Sequence, residues 1–298
     1  MSYPRPILVT GANGQLGCEL KRRAWPTGYE VVALGRAEVD LADRDAIAAM
    51  VASRNWAAVI NGAAYTAVDK AESDLVNAWI VNSQAPAVFA EACAKANIPL
   101  IQVSTDYVFA GDKQEAWETD DPVAPLSVYG ASKLAGELAV RVSGARHAII
   151  RTAWVVSTHG NNFVKTMLRA AALQNSLSVV DDQYGSPTSA SDLAQALMTI
   201  AIRLAEDENA PTGIFHFSNA GKTSWAGFAR EIFAQSRQRG GVSADVVSIP
   251  STDYPTPAKR PANSLLSNSA VREAYGIEPR RWQAALGDIL DELIGSVK

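Results

Sequence analysis

Cysteine is scarce in this chain, whose 298 residues include only Cys18 and Cys93. Neither belongs to a CxxC pair or has a histidine close to it in sequence, so they predict no disulfide framework and no metal site. We interpret both as small packing residues. This sparing use of cysteine suits a reducing cytoplasm better than secretion.

Long apolar runs and blocks of one charge are also missing. No run approaches the roughly 20 apolar residues that span a bilayer, and residues 1–6 lack the pattern of a signal peptide. The 27 basic and 31 acidic side chains give a net charge of -4 without a lysine- or arginine-rich block. We therefore predict a cytoplasmic protein that binds neither nucleic acid nor membranes. We expect a monomer or homodimer, although composition and charge do not choose between the two.

What is present in the first half is a regular alternation of strands and helices. Short apolar runs predict strands, and longer patterns between them predict helices. Apolar strands separated by helices indicate a parallel sheet covered on both faces, which right-handed crossovers build into a doubly wound Rossmann fold. The predicted strands are 7–10, 30–34, 57–60, 100–104 and 147–150, and the helices are 15–23, 44–54, 75–96 and 127–142.

After about residue 153 the alternation becomes irregular. Helical patterns dominate, two strands interrupt them, and the proline-rich residues 250–261 predict an extended loop. We predict an α/β protein with a Rossmann domain at 1–153 and a smaller α+β substrate domain at 154–298, partly interleaved with the first. The predicted helices are 162–173, 191–204, 224–237 and 282–294, and the strands are 213–217 and 246–249.

A glycine loop follows the first predicted strand and opens the first helix. Gly11, Gly14 and Gly17 give the spacing GxxGxxG. Glycines permit a tight turn and a close approach of the backbone to a pyrophosphate, and the helix N-terminus offers unpaired N–H groups. Because the loop lies in the right context, between the first strand and a helix, we predict dinucleotide binding rather than a plain turn.

The end of the second strand bears on the choice of cofactor. Arg36 stands where NAD-binding chains carry an acidic residue, and an arginine can pair with the 2′-phosphate of NADP. We predict NADPH as the preferred cofactor. Glu38 and Asp40 lie nearby, so NADH use stays open.

Tyr129 and Lys133 lie four residues apart on a predicted helix, and that spacing places them on one face. A nearby ammonium favours the phenolate, so we expect Lys133 to lower the pKa of Tyr129. Thr105 ends the fourth strand, at the edge where open α/β sheets bind ligands, and can donate a hydrogen bond to a substrate carbonyl. Asp106 is a candidate acceptor for a sugar hydroxyl.

With these motifs in place, the chain resembles the extended short-chain dehydrogenase/reductases, and within them the dTDP-4-dehydrorhamnose reductase family. The similarity covers most of the chain, and its later segments are more specific than a glycine loop. The segments are VTGANGQLG, NGAAYTAVDKAE, STDYVFAG, PLSVYGASKLAGE, RTAWVVSTHGNNFVKTMLR, VVDDQYGSPTSASDLA and YPTPAKRPANSLL.

The resemblance implies reduction of the 4-keto group of dTDP-4-dehydro-6-deoxy-L-mannose to dTDP-L-rhamnose, the last step of dTDP-rhamnose synthesis. It implies that Tyr129 protonates the developing alkoxide, that Lys133 holds the cofactor, and that Thr105 assists. It also implies substrate contacts at Val68, Thr105, Asp106, Tyr129, Trp154, Asn162 and Arg260, with Arg260 at the diphosphate. The implied cofactor contacts are Gly11, Asn13, Gly14, Gln15, Leu16, Gly17, Arg36, Asp40, Leu41, Ala63, Ala64, Tyr65, Thr66, Tyr129 and Lys133.

Two departures from the family pattern bear on these implications. Tyr65 stands where the family often has histidine, a change that we expect to be tolerated. Some members dimerise through a metal held by glutamates, but one of those positions is Ser191 here, so we predict no metal.

Other functions on the same scaffold remain open. A sugar-nucleotide epimerase or dehydratase would keep a tightly held NAD, although a dehydratase would want an acid and a base beside Thr105 and no glutamate follows Asp106. A regulatory subunit of methionine adenosyltransferase resembles these reductases but serves as a binding partner. The three histidines lie far apart and outside any nucleophile-elbow pattern, which disfavours a hydrolase.

Overall fold

Strands occur at all the positions predicted from the apolar runs, with ends that differ by one or two residues. The computed structural model describes residues 4–295, so residues 1–3 and 296–298, the outer ends of the two predicted domains, lie outside it. In chain order the strands are β1 (Arg5–Thr10), β2 (Tyr29–Leu34), β3 (Ala58–Asn61), β4 (Leu100–Thr105), β5 (His147–Thr152), β6 (Val155–Val156), β7 (Ser176–Val180), β8 (Tyr184–Gly185), β9 (Thr188–Ser189), β10 (Gly213–His216), β11 (Thr223–Ser224) and β12 (Asp245–Ile249).

The main sheet has six strands in the order β2-β1-β3-β4-β5-β10. Each neighbouring pair is parallel. The strand order reverses beside β1, and ligands of open α/β sheets bind at such a point, beyond the carboxyl ends of the strands. The prediction of a doubly wound Rossmann fold is confirmed. β10 comes from the second half of the chain and pairs with β5.

Helices cover the sheet and lie near their predicted bounds. No helix within residues 4–295 is long and apolar enough to cross a membrane. In chain order the helices are α1 (Gln15–Arg22), α2 (Arg44–Ala52), α3 (Val68–Ala71), α4 (Leu75–Trp79), α5 (Ala85–Ala96), α6 (Val128–Val142), α7 (Phe163–Ala171), α8 (Ala190–Glu206), α9 (Trp225–Gln238), α10 (Ser269–Tyr275) and α11 (Trp282–Leu293).

The alternation of side chains along β1 shows how the sheet is buried on both faces. Ile7 and Val9 point to one core, with α1 and α8, whereas Leu8 points to the other, with α2 and α5. A third core joins α7, α9 and α11 to the parallel pair β7–β12 in the second half of the chain. The two halves therefore meet around the carboxyl edge of the main sheet.

The helix predicted at 75–96 contains a π-helical turn at Ile80–Gln84, between α4 and α5. Such a turn inserts one residue into the helical ladder and is frequent at functional sites. Here it presents Asn82, whose carbonyl oxygen would lie 2.2 Å from a Cβ at Gly136 on α6. The sequence prediction gave an unbroken helix because its apolar pattern does not reveal a single inserted residue.

Candidate active site

A cavity of about 610 Å³ lies beyond the carboxyl ends of β1, β3, β4 and β5. Its wall runs from the glycine loop to Tyr129 and Lys133 on α6, and the sequence-predicted catalytic residues meet there. The predicted site residues that line it are Gly11, Gly14, Gln15, Leu16, Gly17, Ala63, Ala64, Thr66, Val68, Thr105, Asp106, Tyr129, Lys133 and Trp154.

The glycine loop has the shape that a pyrophosphate needs. Gly11 has φ +79°, and a Cβ there would approach the Ala63 nitrogen to 3.0 Å. A Cβ at Gly17 would lie 2.1 Å from the Gly11 carbonyl oxygen, so only glycine lets α1 pack this closely on the loop. No side chain caps α1 at Gly14, which leaves its first N–H groups without a side-chain acceptor. This cradle fits a dinucleotide.

Other predicted cofactor residues lie around this cradle. Asn13, Asp40 and Leu41 follow β1 and β2, and the Arg36 side chain is 88% exposed, 3.9 Å from Asp40. Tyr65 donates its hydroxyl to Asp74 at 2.9 Å.

Asn82 is a residue that the sequence analysis missed. Its side-chain amide accepts from the Tyr65 nitrogen at 2.9 Å and donates to the Tyr65 carbonyl at 3.1 Å. It also donates to Ser132 on α6 at 3.1 Å. Asn82 therefore holds the loop after β3 against the helix that carries Tyr129 and Lys133. Its position in the π-helical turn gave no local sequence signal.

Tyr129 and Lys133 are both buried on α6, whose first turn is capped by Ser127 accepting from the Gly130 nitrogen at 3.2 Å. Burial raises the pKa of Tyr129 to about 12, and the Thr105 hydroxyl partly offsets that effect. The expectation that Lys133 lowers this pKa is wrong here, because its ammonium donates to the Val103 carbonyl at 2.7 Å. A neutral phenol is nevertheless the form that can donate a proton.

Two further groups at the site are perturbed by burial. Desolvation lowers the pKa of Lys133 to about 8, while the Glu137 carboxylate acts in the opposite direction. Burial also raises the pKa of Asp106 to about 6. One oxygen of Asp106 accepts from the Thr105 hydroxyl at 3.0 Å, so the two residues predicted at the substrate are linked.

Trp154 stands out by its backbone, since φ +49° is rare for a bulky residue. Its indole stacks on Trp225 with 3.6 Å between ring centroids and 13° between planes. A Cβ at Gly185 would lie 2.8 Å from the same indole, so the backbone of β8 also touches it. The sequence analysis missed Trp225, which comes from α9 and was known only as part of a helix.

A second cavity, of about 280 Å³, adjoins the first across this pair of tryptophans. Trp154 lines the first cavity and Trp225 lines the second. Arg260 also lines the second cavity and forms a two-pronged ion pair with Asp69 on α3, at 2.8 and 3.1 Å. The lining residues are Phe163, Thr166, Met167, Ser178, Val179, Val180, Gln183, Trp225, Tyr254, Thr256 and Arg260.

Comparison with known proteins gives a consistent answer. The family described as RmlD substrate binding domain matches residues 5–294. A dTDP-4-dehydrorhamnose reductase of Sinorhizobium fredii is 44% identical over 278 residues, 93% of this chain and 94% of the relative. One of Burkholderia thailandensis is 43% identical over 295 residues, 97% and 99% of the two chains. The chain belongs to the dTDP-4-dehydrorhamnose reductase family.

A solved structure of this family carries a cofactor. The dTDP-4-dehydrorhamnose reductase of Bacillus anthracis, in complex with NADP, has a TM-score of 0.90 to this chain. It is 32% identical, and the match covers 97% of this chain and 99% of the other.

Asn162, for which the family resemblance implies a substrate contact, stands directly before α7, which begins at Phe163. Asn162 caps it by accepting from the Lys165 nitrogen at 3.2 Å, and its amide donates to Gln15 at 2.9 Å and to the Ser157 carbonyl at 2.7 Å. These bonds connect the loop before α7 to the cofactor helix. The predicted contact of Asn162 with substrate stays a prediction.

The metal position of some family members is built differently here. The guanidinium of Arg23 lies against Ser191 and donates to the Ser191 carbonyl at 2.6 Å and to the Ser191 hydroxyl at 2.9 Å. A half-buried guanidinium in that place does not fit a bound metal ion. Across residues 4–295 no three metal-ligating side chains come together.

Proposed function

We propose that this protein reduces the 4-keto group of dTDP-4-dehydro-6-deoxy-L-mannose with NADPH and yields dTDP-L-rhamnose. The observation that carries the proposal is the meeting of Thr105, Tyr129 and Lys133 in a cavity that also includes the glycine loop. A carbonyl reduction needs a hydride donor, a group that polarises the oxygen and a proton donor, and this cavity brings those components together. Relatives over nearly the whole chain bear the name dTDP-4-dehydrorhamnose reductase.

The residues divide the chemistry between them. Bound NADPH supplies the hydride to C4. With substrate bound, the Thr105 hydroxyl would turn from Asp106 and donate to the ketone oxygen, and so would stabilise the negative charge that develops there. Tyr129, kept neutral by burial, gives its proton to that oxygen, and the transfer is favourable because an alkoxide is more basic than a phenolate. The Lys133 ammonium, which lines the same cavity, would hold the nicotinamide ribose.

The cofactor would lie along the glycine loop. The backbone at Gly11, Gly14 and Gly17 would hold the pyrophosphate, and the loop at Ala63 and Ala64 would pack on the dinucleotide. Asn13, Asp40, Leu41, Tyr65 and Thr66 would complete the contacts.

Arg36 would select NADPH by pairing with its 2′-phosphate, since its side chain is exposed and planar. Arg36→Met should raise KM for NADPH about 10-fold and leave KM for NADH nearly unchanged. Steady-state rates with both cofactors test this. A wild type that clearly prefers NADH would contradict the preference.

The substrate would extend from the first cavity into the second. The hexose would lie beside Val68, Asp106 and Trp154, and the nucleoside would enter the second cavity. Arg260, which lines the second cavity, would then contact the diphosphate between the hexose and the nucleoside.

We further propose a cytoplasmic monomer or homodimer that binds no nucleic acid. In it, residues 1–153 bind the cofactor and residues 154–298 contribute the nucleotide site. Light scattering of the purified protein would measure its oligomeric state. Comparison of preparations with and without nuclease treatment would test whether nucleic acid is bound.

The decisive experiment is NADPH oxidation by the purified protein with the 4-keto-6-deoxy sugar nucleotide. We expect one dTDP-L-rhamnose for each NADPH consumed. Stoichiometric, tightly held NAD without net oxidation would point instead to an epimerase or dehydratase. Absence of turnover together with co-purification of a methionine adenosyltransferase would point to a regulatory subunit.

A further inference from the structure

A buried ion pair lies directly behind the catalytic residues. Glu137 follows Lys133 by one turn of α6 and Tyr129 by two, so the three share one helix face. Its side chain is 1% exposed. The carboxylate accepts from the Arg151 guanidinium of β5 at 2.7 and 3.0 Å, and from the Ser104 hydroxyl of β4 at 2.5 Å.

The partners of this carboxylate lie between two functional positions. Ser104 stands between Val103, whose carbonyl accepts from Lys133, and Thr105, whose hydroxyl reaches the cavity. The end of β4 is thus joined to α6 at two points one helical turn apart, Lys133 to Val103 and Glu137 to Ser104. Two attachments fix both the distance and the register of the strand against the helix.

We propose that Glu137, locked by Arg151, is a positioning residue that sets Thr105 against Tyr129 and Lys133 for the reduction. The proposal rests on the function proposed above. Glu137 acts through Ser104 and the strand end.

The role of Arg151 follows from charge. A buried carboxylate needs a cation, and without Arg151 the nearest one along α6 would be Lys133, four residues earlier. Arg151 pairs with Glu137 from β5. It also donates to the Thr119 carbonyl at 3.3 Å and lies 4.9 Å from the Phe109 ring. It therefore leaves the Lys133 ammonium directed to Val103 and to the cofactor.

The pH dependence of kcat should also depend on Glu137, because its carboxylate influences the pKa of Lys133. The titratable and charged groups near Lys133 include Tyr129 and Glu137 on its own helix, Asp106 on the same cavity, and Arg151 on β5, which pairs with Glu137. Removing the Glu137 charge would remove the influence that raises the pKa of Lys133, while the Arg151 charge would stay. Glu137→Gln should therefore move the alkaline fall of kcat toward lower pH.

The test uses Ser104→Ala and Glu137→Gln. We expect kcat to fall about 10- to 100-fold in both, since small misplacements of catalytic groups have effects of that size. KM for the sugar nucleotide should change less than about 3-fold, because its binding relies on other residues. As a matched control, Asp291→Asn breaks the partly buried pair with Arg239, at 2.8 Å, and should lower stability without changing kcat.

Further variants separate positioning from folding. If Glu137→Gln does not fold, Ser104→Ala still tests the link, since it leaves the ion pair intact. The double variant Glu137→Met/Arg151→Met replaces the pair by apolar groups and should regain stability but not kcat. The proposal would be overturned if Ser104→Ala and Glu137→Gln both kept the wild-type kcat and Glu137→Gln also kept the wild-type pH profile. It would likewise be overturned if the double variant recovered kcat together with stability.

An inactive wild type would contradict the proposed function instead. NADPH affinity needs no sugar substrate and still reports the position of Lys133 in that case. We expect weaker NADPH binding in Glu137→Gln and Ser104→Ala than in the wild type, and equal affinities would overturn the positioning role.

Discussion

Asp106, which we propose contacts the substrate, is a buried carboxyl whose charged form opposes stability. Its pKa rises from the ordinary 3.8 to about 6 because burial disfavours the carboxylate. The protonated acid therefore favours the folded state, and this contribution is fully present below the ordinary pKa and is lost as pH rises through about 6. At neutral pH the protein keeps a buried charge beside Thr105, where a sugar hydroxyl would find an acceptor.

Asp106→Asn removes that charge at every pH. Relative to wild type, its free energy of unfolding should be higher at about pH 7 than at about pH 4, by up to about 3 kcal/mol. Denaturant titrations at both pH values measure the difference, and KM for the sugar nucleotide should rise. Parallel stability profiles for the two proteins would contradict the buried charge.

Single-residue chemistry was predictable where local spacing determines it. Tyr129 and Lys133 follow from the four-residue helical repeat, and Gly11 follows from its place between a strand and a helix. The pKa of Tyr129 was not predictable, because burial depends on the whole fold. Glu137 gave no signal for the same reason, since its partners lie on two separate strands.

Among the elements, the short strands around Trp154 were not predicted. β6 and β9 pair over only two residues, too few to give a period-two pattern. The pairing of β6 with β9 nevertheless begins directly after Trp154 and holds this residue in its left-handed backbone conformation. Trp225 stacks on its ring. Long, periodic elements such as α6 and α8 were predicted almost to the residue, and short ones that depend on tertiary contacts were not.

Removing the Trp225 ring should let the Trp154 backbone leave its left-handed conformation. Trp225→Ala should lower kcat/KM about 10- to 100-fold, because the strained backbone persists only while its surroundings hold it. Trp225→Phe keeps a ring in place and should retain most activity. Near-ultraviolet circular dichroism follows the Trp154–Trp225 pair directly. Equal kinetics in the alanine and phenylalanine variants would show that the stack does not matter.

Over the whole molecule, the site combines residues from both ends of the chain. The glycine loop near residue 11 and Arg260 lie on adjoining cavities, and β10 ties the second half to the main sheet. That residues 1–153 bind the cofactor and residues 154–298 contribute the nucleotide site stays a prediction. It could not predict the second cavity, since α7, β7 and the loop after β12 form it only after folding.

The division between cavities gives a kinetic prediction for Arg260. Arg260→Met should raise KM for the sugar nucleotide about 10- to 100-fold with a smaller change in kcat, because a diphosphate contact far from C4 is made in substrate and transition state alike. Arg272→Met removes an exposed arginine paired with Glu278 and serves as the control. A fall in kcat with unchanged KM would place Arg260 elsewhere in the reaction.

The proposed reduction depends on the phenol of Tyr129 as proton donor, and Tyr129→Phe removes that donor alone. The variant keeps the ring against Tyr107, 5.5 Å away between centroids, and loses only the hydroxyl. Measured with NADPH and the 4-keto sugar nucleotide, kcat should fall about 100- to 10,000-fold while NADPH affinity stays near that of the wild type. Turnover close to the wild-type rate would contradict the account.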